Sequence, residues 1–229
     1  MVVPPREARV LVVEDHALFG ETLAIALRIE GYEVHRLLLT DGGDLVAAAV
    51  RARPSIALVD LDLGCYGDGT DLISPLRDAG AAVVVVTGST DRAQWGGCLH
   101  RGAATVLSKS SPLDATLATV RRLALGLPAM SRLDRGALLD LWRREGRERD
   151  VLRERFARLT PRERQVLAAL VSGMTIRDIA VADFVSEATV RTQVKTILGK
   201  LEVGSQVGAV TFAHRFGWHA TGPLTRHAV

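Results

Sequence analysis

Five polar residues that could perform phosphoryl chemistry follow short apolar runs in the first half of the chain. They are Glu14, Asp15, Asp60, Thr87 and Lys109. Clustered carboxylates repel one another unless they bind a hard cation through oxygen, and Mg2+ is the expected one here. With Glu14 and Asp15 on the metal, Asp60 could attack a phosphoryl group in line. The Thr87 hydroxyl and the Lys109 ammonium would hold the other phosphoryl oxygens.

Five apolar runs predict the strands that would bring these residues together. The runs are Val10–Val13, Val34–Leu39, Ile56–Val59, Ala82–Val86 and Thr105–Leu107. They are mostly continuous rather than alternating, which is typical of strands buried on both faces. Helical stretches separate them, so we expect an α/β fold with a doubly wound, five-stranded parallel sheet. Such sheets bind ligands at the carboxyl ends of their strands, where all five polar residues fall.

Composition excludes several classes of protein. Of the 229 residues, 48% are hydrophobic and 24% charged, with two cysteines. These values are ordinary for a globular protein, and two cysteines are too few for a disulfide scaffold. No apolar run reaches the ~20 residues that span a bilayer, and the N-terminus does not read as a signal peptide. We therefore expect a cytoplasmic protein that does not use the membrane.

The charge differs between the two ends of the chain. Residues 1–128 carry 12 basic and 15 acidic side chains, whereas residues 129–229 carry 17 and 11. A basic second half favours contact with a polyanion. We expect a first domain at 1–127, which contains the five polar residues, a helical linker at 128–158 and a second, basic domain at 159–229. The linker could be a solvated connector or a helical dimer contact.

Three helix starts recur at short intervals in the second half. Thr160, Thr175 and Ser186 are N-cap residues, and the first is followed by Pro161 and then by Glu163 in a capping-box pattern. Short helices joined by tight turns predict a helix-turn-helix, with the pair that begins at Thr175 and Ser186. In such motifs the second helix enters the major groove of double-stranded DNA.

The helix that follows Ser186 has two different faces. One is an apolar stripe made of Val190, Val194, Ile197, Leu198 and Leu201. The other presents Arg191, Thr192 and Lys195, which suit base edges and phosphates. A polar helix face is often simply solvated, so this pattern alone does not identify a DNA reader.

Four segments of the first half resemble the receiver domain of two-component response regulators. They are 12–19, 58–62, 84–88 and 102–109, and the acidic pair followed by His-Ala-Leu-Phe is similar to the NarL/FixJ subfamily. The resemblance implies that a cognate histidine kinase phosphorylates Asp60. It also implies that the backbone carbonyl of Asp62 joins the metal ligands.

Four segments of the second half resemble the LuxR-type helix-turn-helix. They are 159–167, 173–180, 186–191 and 200–203. The resemblance implies a recognition helix from Glu187 to Leu201 that contacts DNA through Arg191, Thr192 and Lys195, with Thr189 and Gln193 beside them. Gln193 stands where the family often has His. The last helix, about Gln206 to Phe216, is implied to support a homodimer on DNA.

Two departures from the receiver pattern bear on the mechanism. Gly64 stands where the family commonly has Pro, and Val106 stands where it usually has the aromatic residue that turns inward when the threonine swings toward the phosphoryl group. The carboxylate of Asp62 is an additional charge close to Asp60. With Val106 we expect the coupling to be weaker or to be carried by other residues, and we expect the Asp62 carboxylate to alter hydrolysis of the acyl phosphate.

We expect a regulator that depends on phosphorylation and is not an enzyme. Two alternatives remain open. One is a regulator that binds DNA whether or not it is phosphorylated, which Val106 and the altered loop after Asp62 favour. The other is a phosphatase, because Asp60 and Asp62 after a strand also resemble the haloacid-dehalogenase pattern, in which the second Asp is a general acid. That pattern gives no role to Glu14 and Asp15.

Overall fold

The computed structural model describes residues 8–37 and 44–215. These divide into two compact units whose boundary in the sequence lies between Arg144 and Glu145. Within the described ranges, no helix is both long and apolar enough to cross a membrane.

The first unit is built on a parallel sheet, which in the described residues has five strands. They are β1 (Arg9–Val13), β2 (Glu33–Arg36), β3 (Ile56–Val59), β4 (Ala82–Thr87) and β5 (Thr105–Ser108). Their order is β2-β1-β3-β4-β5, and every neighbouring pair is parallel. The predicted α/β class is confirmed. β2 ends at Arg36 although its apolar run continues to Leu39, and residues 38 and 39 lie outside the described residues.

Helices cover both faces of this sheet. They are α1 (Ala17–Ile29), α2 (Leu45–Arg51), α3 (Thr70–Asp78), α4 (Arg92–Arg101) and α5 (Leu113–Ala124), with a short 3-10 turn at Gly64–Tyr66. Successive side chains of a strand point to opposite faces. Val13 of β1 therefore packs into one core with residues of α3 and α4, and Val12 packs into a second core with residues of α1 and α5. Two cores fix the strands and hence the positions of their carboxyl ends.

Helix α6 (Arg132–Ala157) begins directly after Ser131, whose side chain caps its first turn. The backbone N–H of Asp134 donates to Ser131 Oγ at 3.0 Å, and Ser131 Oγ lies 2.7 Å from the Asp134 carboxylate. In the part of α6 that belongs to the first unit, Leu138 is buried in the core formed with α3 and α4, whereas Leu133 is exposed. The segment expected to be a helical linker thus places part of its length in the core of the first unit.

The second unit is helical throughout its described residues. Its helices after α6 are α7 (Pro161–Val171), α8 (Ile176–Ala182), α9 (Glu187–Leu201) and α10 (Gln206–Arg215). The apolar stripe of α9 faces its core, with Val190, Ile197 and Leu201 fully buried. The predicted end of the last helix, Phe216, lies outside the described residues.

All three predicted N-caps of this unit are formed. The side chains of Thr160, Thr175 and Ser186 each accept a hydrogen bond from the backbone N–H three residues later, and the first two complete capping boxes. Each cap satisfies an N–H that the helix leaves without a partner, which is worth about 1 kcal/mol. Local chemistry therefore sets where these helices begin.

The first capping box is joined to α9 by an ion pair. Glu163 Oε2 accepts from the backbone N–H of Thr160 at 2.7 Å, and Lys200 Nζ donates to both carboxylate oxygens at 2.7 and 2.8 Å. Burial raises the pKa of Glu163, but the hydrogen bonds from Lys200 and Thr160 lower it more, so that the net pKa lies below its usual value of 4.5. The ionised carboxylate thus ties α7 to the end of α9.

We expect Glu163→Gln to destabilise the second unit by about 1–3 kcal/mol at pH 7, because it removes a charged hydrogen-bond partner of Lys200. A lowered pKa in the folded state stabilises above pH 4.5 and is lost as the pH falls through the folded value. The difference from wild type should therefore shrink below pH 4.5 in urea titrations followed by circular dichroism. Glu187→Gln, on the exposed first turn of α9, is the matched control. Equal stability of E163Q and E187Q at pH 7 would contradict this account.

Candidate phosphoryl-acceptor pocket and recognition helix

The strand register brings the predicted site residues to one edge of the sheet. Val13 of β1 lies beside Val59 of β3, so the residues that follow them, Glu14 and Asp60, are neighbours. Thr87 ends β4, and its carbonyl accepts from the backbone N–H of Lys109 at 2.8 Å. Glu14, Asp60 and Thr87 are all buried. Four strand ends therefore form one polar pocket in an otherwise apolar sheet.

Lys109 joins the two buried carboxylates of this pocket. Its Nζ lies 2.7 Å from Glu14 Oε1 and 2.7 Å from Asp60 Oδ2. The side chains of Glu14 and Asp60 are only 3% and 2% exposed. Leaving two carboxylates unpaired at this depth would be costly, and one ammonium between them offsets much of that cost.

The pKa values of Glu14 and Lys109 show which effect dominates at each group. Burial raises the pKa of Glu14, and the nearby Asp60 charge adds to this, so the net shift is upward despite the hydrogen bonds from Lys109 and His16. Burial lowers the pKa of Lys109, but hydrogen bonds to Asp60 and Glu14 outweigh it and the net shift is upward. Lys109 is therefore held in its charged form, and the pocket favours additional positive charge.

The side chain of His16 lies at the solvent-exposed side of the pocket. Its Nδ1 lies 3.0 Å from Glu14 Oε1 and 2.7 Å from Asp15 Oδ1, and its backbone N–H donates to Glu14. The hydrogen bond to Glu14 and the charge of Asp15 raise the pKa of His16. Sequence reasoning cited His16 only as part of a motif, although its place directly after the acidic pair could have indicated this contact.

The pocket contains a donor set that fits a divalent cation. Glu14, Asp15, His16 and Asp60 can each present one ligand atom, and these atoms lie within 4.8 Å of one another. Asp15 Oδ1 is buried and accepts no hydrogen bond of good geometry. Its polar contact is the ion pair with Nδ1 of the His16 ring. Three carboxylates give the oxygen-rich coordination that Mg2+ prefers.

The loop after β3 contacts the same pocket. Gly64 has a φ of +58°, and a Cβ at this position would lie 3.2 Å from Asp15 Oδ2. Proline, with φ fixed near −65°, cannot adopt this backbone. The loop in its present conformation therefore cannot carry the Pro that the receiver family commonly has at position 64. Asp62 is exposed, and its carboxylate accepts from the backbone N–H of Gly64 at 3.1 Å. Its predicted role as a carbonyl ligand stays a prediction.

Val106 is buried in the core of the first unit beneath α4. The Thr87 hydroxyl accepts from the backbone N–H of Ser89 at 3.0 Å, which ties it to the loop that leads into α4. In the sheet Val106 is paired with Val85 of β4, two residues before Thr87. The position that is usually aromatic in the family is therefore a buried aliphatic residue here.

Helix α9 of the second unit presents its polar face to solvent. Arg191, Thr192 and Lys195 are exposed, and so is Thr189, whose hydroxyl lies 2.9 Å from Ser186 Oγ. Lys195 has no hydrogen-bond or ion-pair partner among the residues that the structure describes. It is therefore the side chain of this face most available to a phosphate.

Two of the predicted contact residues are partly engaged within the helix. Arg191 pairs with Glu187 one turn earlier at 3.2 Å, and both side chains are largely exposed. Such a pair is weak and can be exchanged for a nucleic-acid contact. Gln193 is only half-exposed, and its Oε1 is buried and has no hydrogen-bond partner. Its amide group is thus directed less fully to solvent than its neighbours.

Two protein families match the two units. Residues 10–121 match the response regulator receiver domain. Residues 157–213 match the luxR family of bacterial regulatory proteins. The two matched segments contain the strand ends of the pocket and helices α7 to α10.

Two relatives align with this chain over most of both sequences. The nitrate/nitrite response regulator protein NarP of Escherichia coli K12 is 30% identical over 209 residues, which cover 88% of this chain and 92% of NarP. The transcriptional regulatory protein LiaR of Bacillus subtilis 168 is 27% identical over 212 residues, which cover 90% of this chain and 97% of LiaR. A solved structure of the Salmonella typhimurium RcsB response regulator covers 92% of this chain and 100% of its own, at 18% identity and a TM-score of 0.48. From the sequence matches, the chain belongs to the two-component response regulators in which a receiver domain is combined with a LuxR-type DNA-binding domain.

Proposed function

We propose that Asp60 is the phosphoryl acceptor of this regulator and that a cognate histidine kinase is the donor. The observation that carries the proposal is the Lys109 ammonium, which lies 2.7 Å from a buried oxygen of each of Asp60 and Glu14. A cation in this place can pair with a phosphoryl oxygen once Asp60 carries the group. The family assignment disfavours the phosphatase alternative.

The transfer needs only one bond to form and one to break. A carboxylate oxygen of Asp60 attacks phosphorus while the P–N bond to the kinase histidine breaks, and the imidazole leaves with that electron pair. The product is an acyl phosphate on Asp60. Lys109 and the hydroxyl of Thr87 stabilise charge on the phosphoryl oxygens. Thr87 ends β4, which lies beside β3, and Lys109 directly follows β5, which lies beside β4.

Glu14, Asp15 and Asp60 would hold Mg2+, with the Asp62 carbonyl as a further oxygen ligand. When bound, the metal neutralises the carboxylates and the incoming phosphoryl charge. The buried and poorly satisfied Asp15 Oδ1 supports this assignment. His16 contacts the carboxylates of Glu14 and Asp15, so it would have to give up these contacts or exchange them when the metal binds.

The second domain binds double-stranded DNA through α9. Arg191 and Thr192 are proposed to reach base edges and Lys195 a phosphate, with Thr189 and Gln193 beside them. We also propose a homodimer on paired half-sites, with α10 and its exposed Val207 as the contact. We propose that the receiver domain ends at residue 127 and that the linker ends at residue 158. We also propose that the protein is located in the cytoplasm, together with the DNA.

One observation favours a second candidate function. Val106 is buried where the family usually has an aromatic switch residue, so DNA binding could be independent of phosphorylation. DNA affinity measured with and without beryllofluoride, an analogue of the phosphoryl group, distinguishes the two. Equal affinities would favour the constitutive regulator.

We expect Asp60→Asn to abolish phosphoryl incorporation from acetyl phosphate in the presence of Mg2+, because the amide is not a nucleophile for phosphorus. Intact-protein mass spectrometry measures the incorporation. The matched control is Asp62→Asn, which alters an exposed carboxylate two residues away and should still be labelled. Persistent labelling of D60N would overturn the assignment of the acceptor.

We expect Lys109→Met to destabilise the receiver unit by about 2–4 kcal/mol in metal-free buffer, since it leaves two buried carboxylates unpaired. The Lys109 side chain is 19% exposed, so the cost is below that of a fully buried pair. Burial already holds the pKa of Glu14 above 4.5, so the loss should grow as the pH rises from that value. Thermal unfolding at several pH values measures it.

Lys109→Arg keeps the charge and is the control for that experiment. Millimolar Mg2+ should restore part of the stability of K109M by supplying the missing positive charge. A K109M variant as stable as wild type at pH 8 in chelator would show that the pocket does not depend on this cation.

We expect Lys195→Ala to weaken binding to all DNA sequences and to reduce the slope of log K against log salt by about 1, because one phosphate contact is lost. Fluorescence anisotropy at several salt concentrations measures the slope. Arg153→Ala removes an equal charge from an exposed site on α6 and should leave the slope unchanged. An unchanged slope for K195A would remove it from the phosphate contacts.

A further inference from the structure

The first part of α6 is held against α4 by a notch of two glycines. We call residues 132–142 the α6 strap. A Cβ at Gly96 would lie 2.1 Å from the carbonyl oxygen of Leu138 and 2.7 Å from Cβ of Trp142. Only glycine permits this approach, because any side chain would overlap the backbone of the strap. The contact lies wholly within the first unit.

Stacking and burial extend the contact along α4. The Trp142 ring stacks on the His100 ring with 4.0 Å between centroids and 24° between planes. Leu138 is buried in the core of the first unit. Gly97 adds to the notch, since a Cβ there would lie 3.2 Å from Cδ1 of Trp142. The strap is thus packed as a structural layer over α4.

Arg135 secures the other end of this contact. Its guanidinium donates to the carbonyl oxygens of Leu99 and Ala103, both at 3.0 Å. The Leu99 carbonyl lies in the last turn of α4, where a helix carries a partial negative charge, and Ala103 lies in the turn between α4 and β5. A half-buried arginine of the strap therefore holds the carboxyl end of α4 and the turn that follows it.

The side chain of Trp95 connects α4 to the loop that follows Thr87 in the phosphoryl-acceptor pocket. Nε1 of Trp95 donates to the carbonyl oxygen of Ser89 at 3.0 Å, and the backbone N–H of Ser89 donates to the Thr87 hydroxyl at 3.0 Å. Trp95 directly precedes the glycine notch and is half-buried against the core. Hydrogen bonds thus run from Thr87 through Ser89 to the helix on which the strap is docked.

We propose that Trp95 is the positioning residue that couples Thr87 to the α6 strap, in the role that an aromatic residue at position 106 would otherwise have. This inference rests on the proposed phosphorylation of Asp60. When the Thr87 hydroxyl turns to a phosphoryl oxygen on Asp60, Ser89 loses its acceptor and its carbonyl no longer reaches Trp95. Helix α4 then shifts, the notch no longer fits Leu138 and Trp142, and the strap is released.

The released strap is detectable by hydrogen exchange. The end of a helix that loses its packing partner opens more often, so the backbone amides of the released strap exchange faster. In the full-length protein with Mg2+, we expect beryllofluoride to speed exchange in peptides covering 132–142 by about fivefold or more. Bound beryllofluoride is detected separately by its 19F NMR signal, which reports on the pocket and not on the strap.

A pair of glycine variants tests the docking itself without any phosphoryl analogue. Gly96→Ala places a methyl group in the backbone of the strap and should speed exchange of 132–142. Gly136→Ala makes the same substitution within the strap, where the added methyl meets no atom within 4 Å beyond its chain neighbours and the backbone of its own helix, and should leave the docking intact. Equal exchange in G96A and G136A would reject the docked strap.

Trp95→Phe tests the coupling. It keeps most of the ring in the core but removes the donor to Ser89, so beryllofluoride should bind as in wild type and leave exchange of 132–142 nearly unchanged. A response in W95F equal to that of wild type would overturn the role of Trp95. Bound beryllofluoride without a response in the wild-type strap would reject the coupling alone, whereas absence of binding would reject the proposed acceptor site and the coupling with it.

Discussion

The receiver unit depends on one ammonium group placed between two buried carboxylates. Glu14 and Asp60 come from neighbouring strands and are almost fully buried, and Lys109 reaches both at 2.7 Å. Without a cation, their repulsion and desolvation would oppose the strand register that brings them together. The register itself is set by the two cores on either side of the sheet, so apolar packing supplies the energy that holds this polar pocket in place.

The second unit has the opposite construction. Its helix starts are defined by side chains three residues or fewer from the backbone groups that they satisfy, as at Thr160, Thr175 and Ser186. The polar face of α9 contributes little to stability and is therefore available for nucleic acid. A polar pocket that requires the whole fold suits a regulated site, while a locally capped helix suits a rigid reader of DNA.

The sequence allowed much of this to be predicted, for identifiable reasons. Continuous apolar runs gave β3 from Ile56 to Val59 and the other strands to within one residue at each end, apart from the carboxyl end of β2. The cap at Ser186 gave the start of α9, and the resemblance to the LuxR-type helix-turn-helix gave its end at Leu201. Strand ends converge by topology, which made the grouping of Glu14, Asp60 and Lys109 predictable. For the contact of His16 with Glu14 and Asp15 the sequence offered only the place of His16 directly after the acidic pair, since the rotamer that forms the contact is set by the folded structure. The buried Gln193 oxygen was not predictable, because helical spacing does not give depth.

The contact of α6 with α4 shows where prediction from local pattern stops. The periodicity of Leu133, Leu138 and Leu141 indicates a helix but does not distinguish which residue is buried, and only Leu138 is. Gly96 and Gly97 lower the intrinsic propensity of α4 for helix by about 1 kcal/mol each. That local cost has a use only in the tertiary structure, where the strap lies directly on the α4 backbone. Glycines inside a helix, at positions where no turn requires them, are therefore the sequence signal of a close contact between helices. Here they lie on α4, which contacts the strap and is hydrogen-bonded through Trp95 to the loop after Thr87.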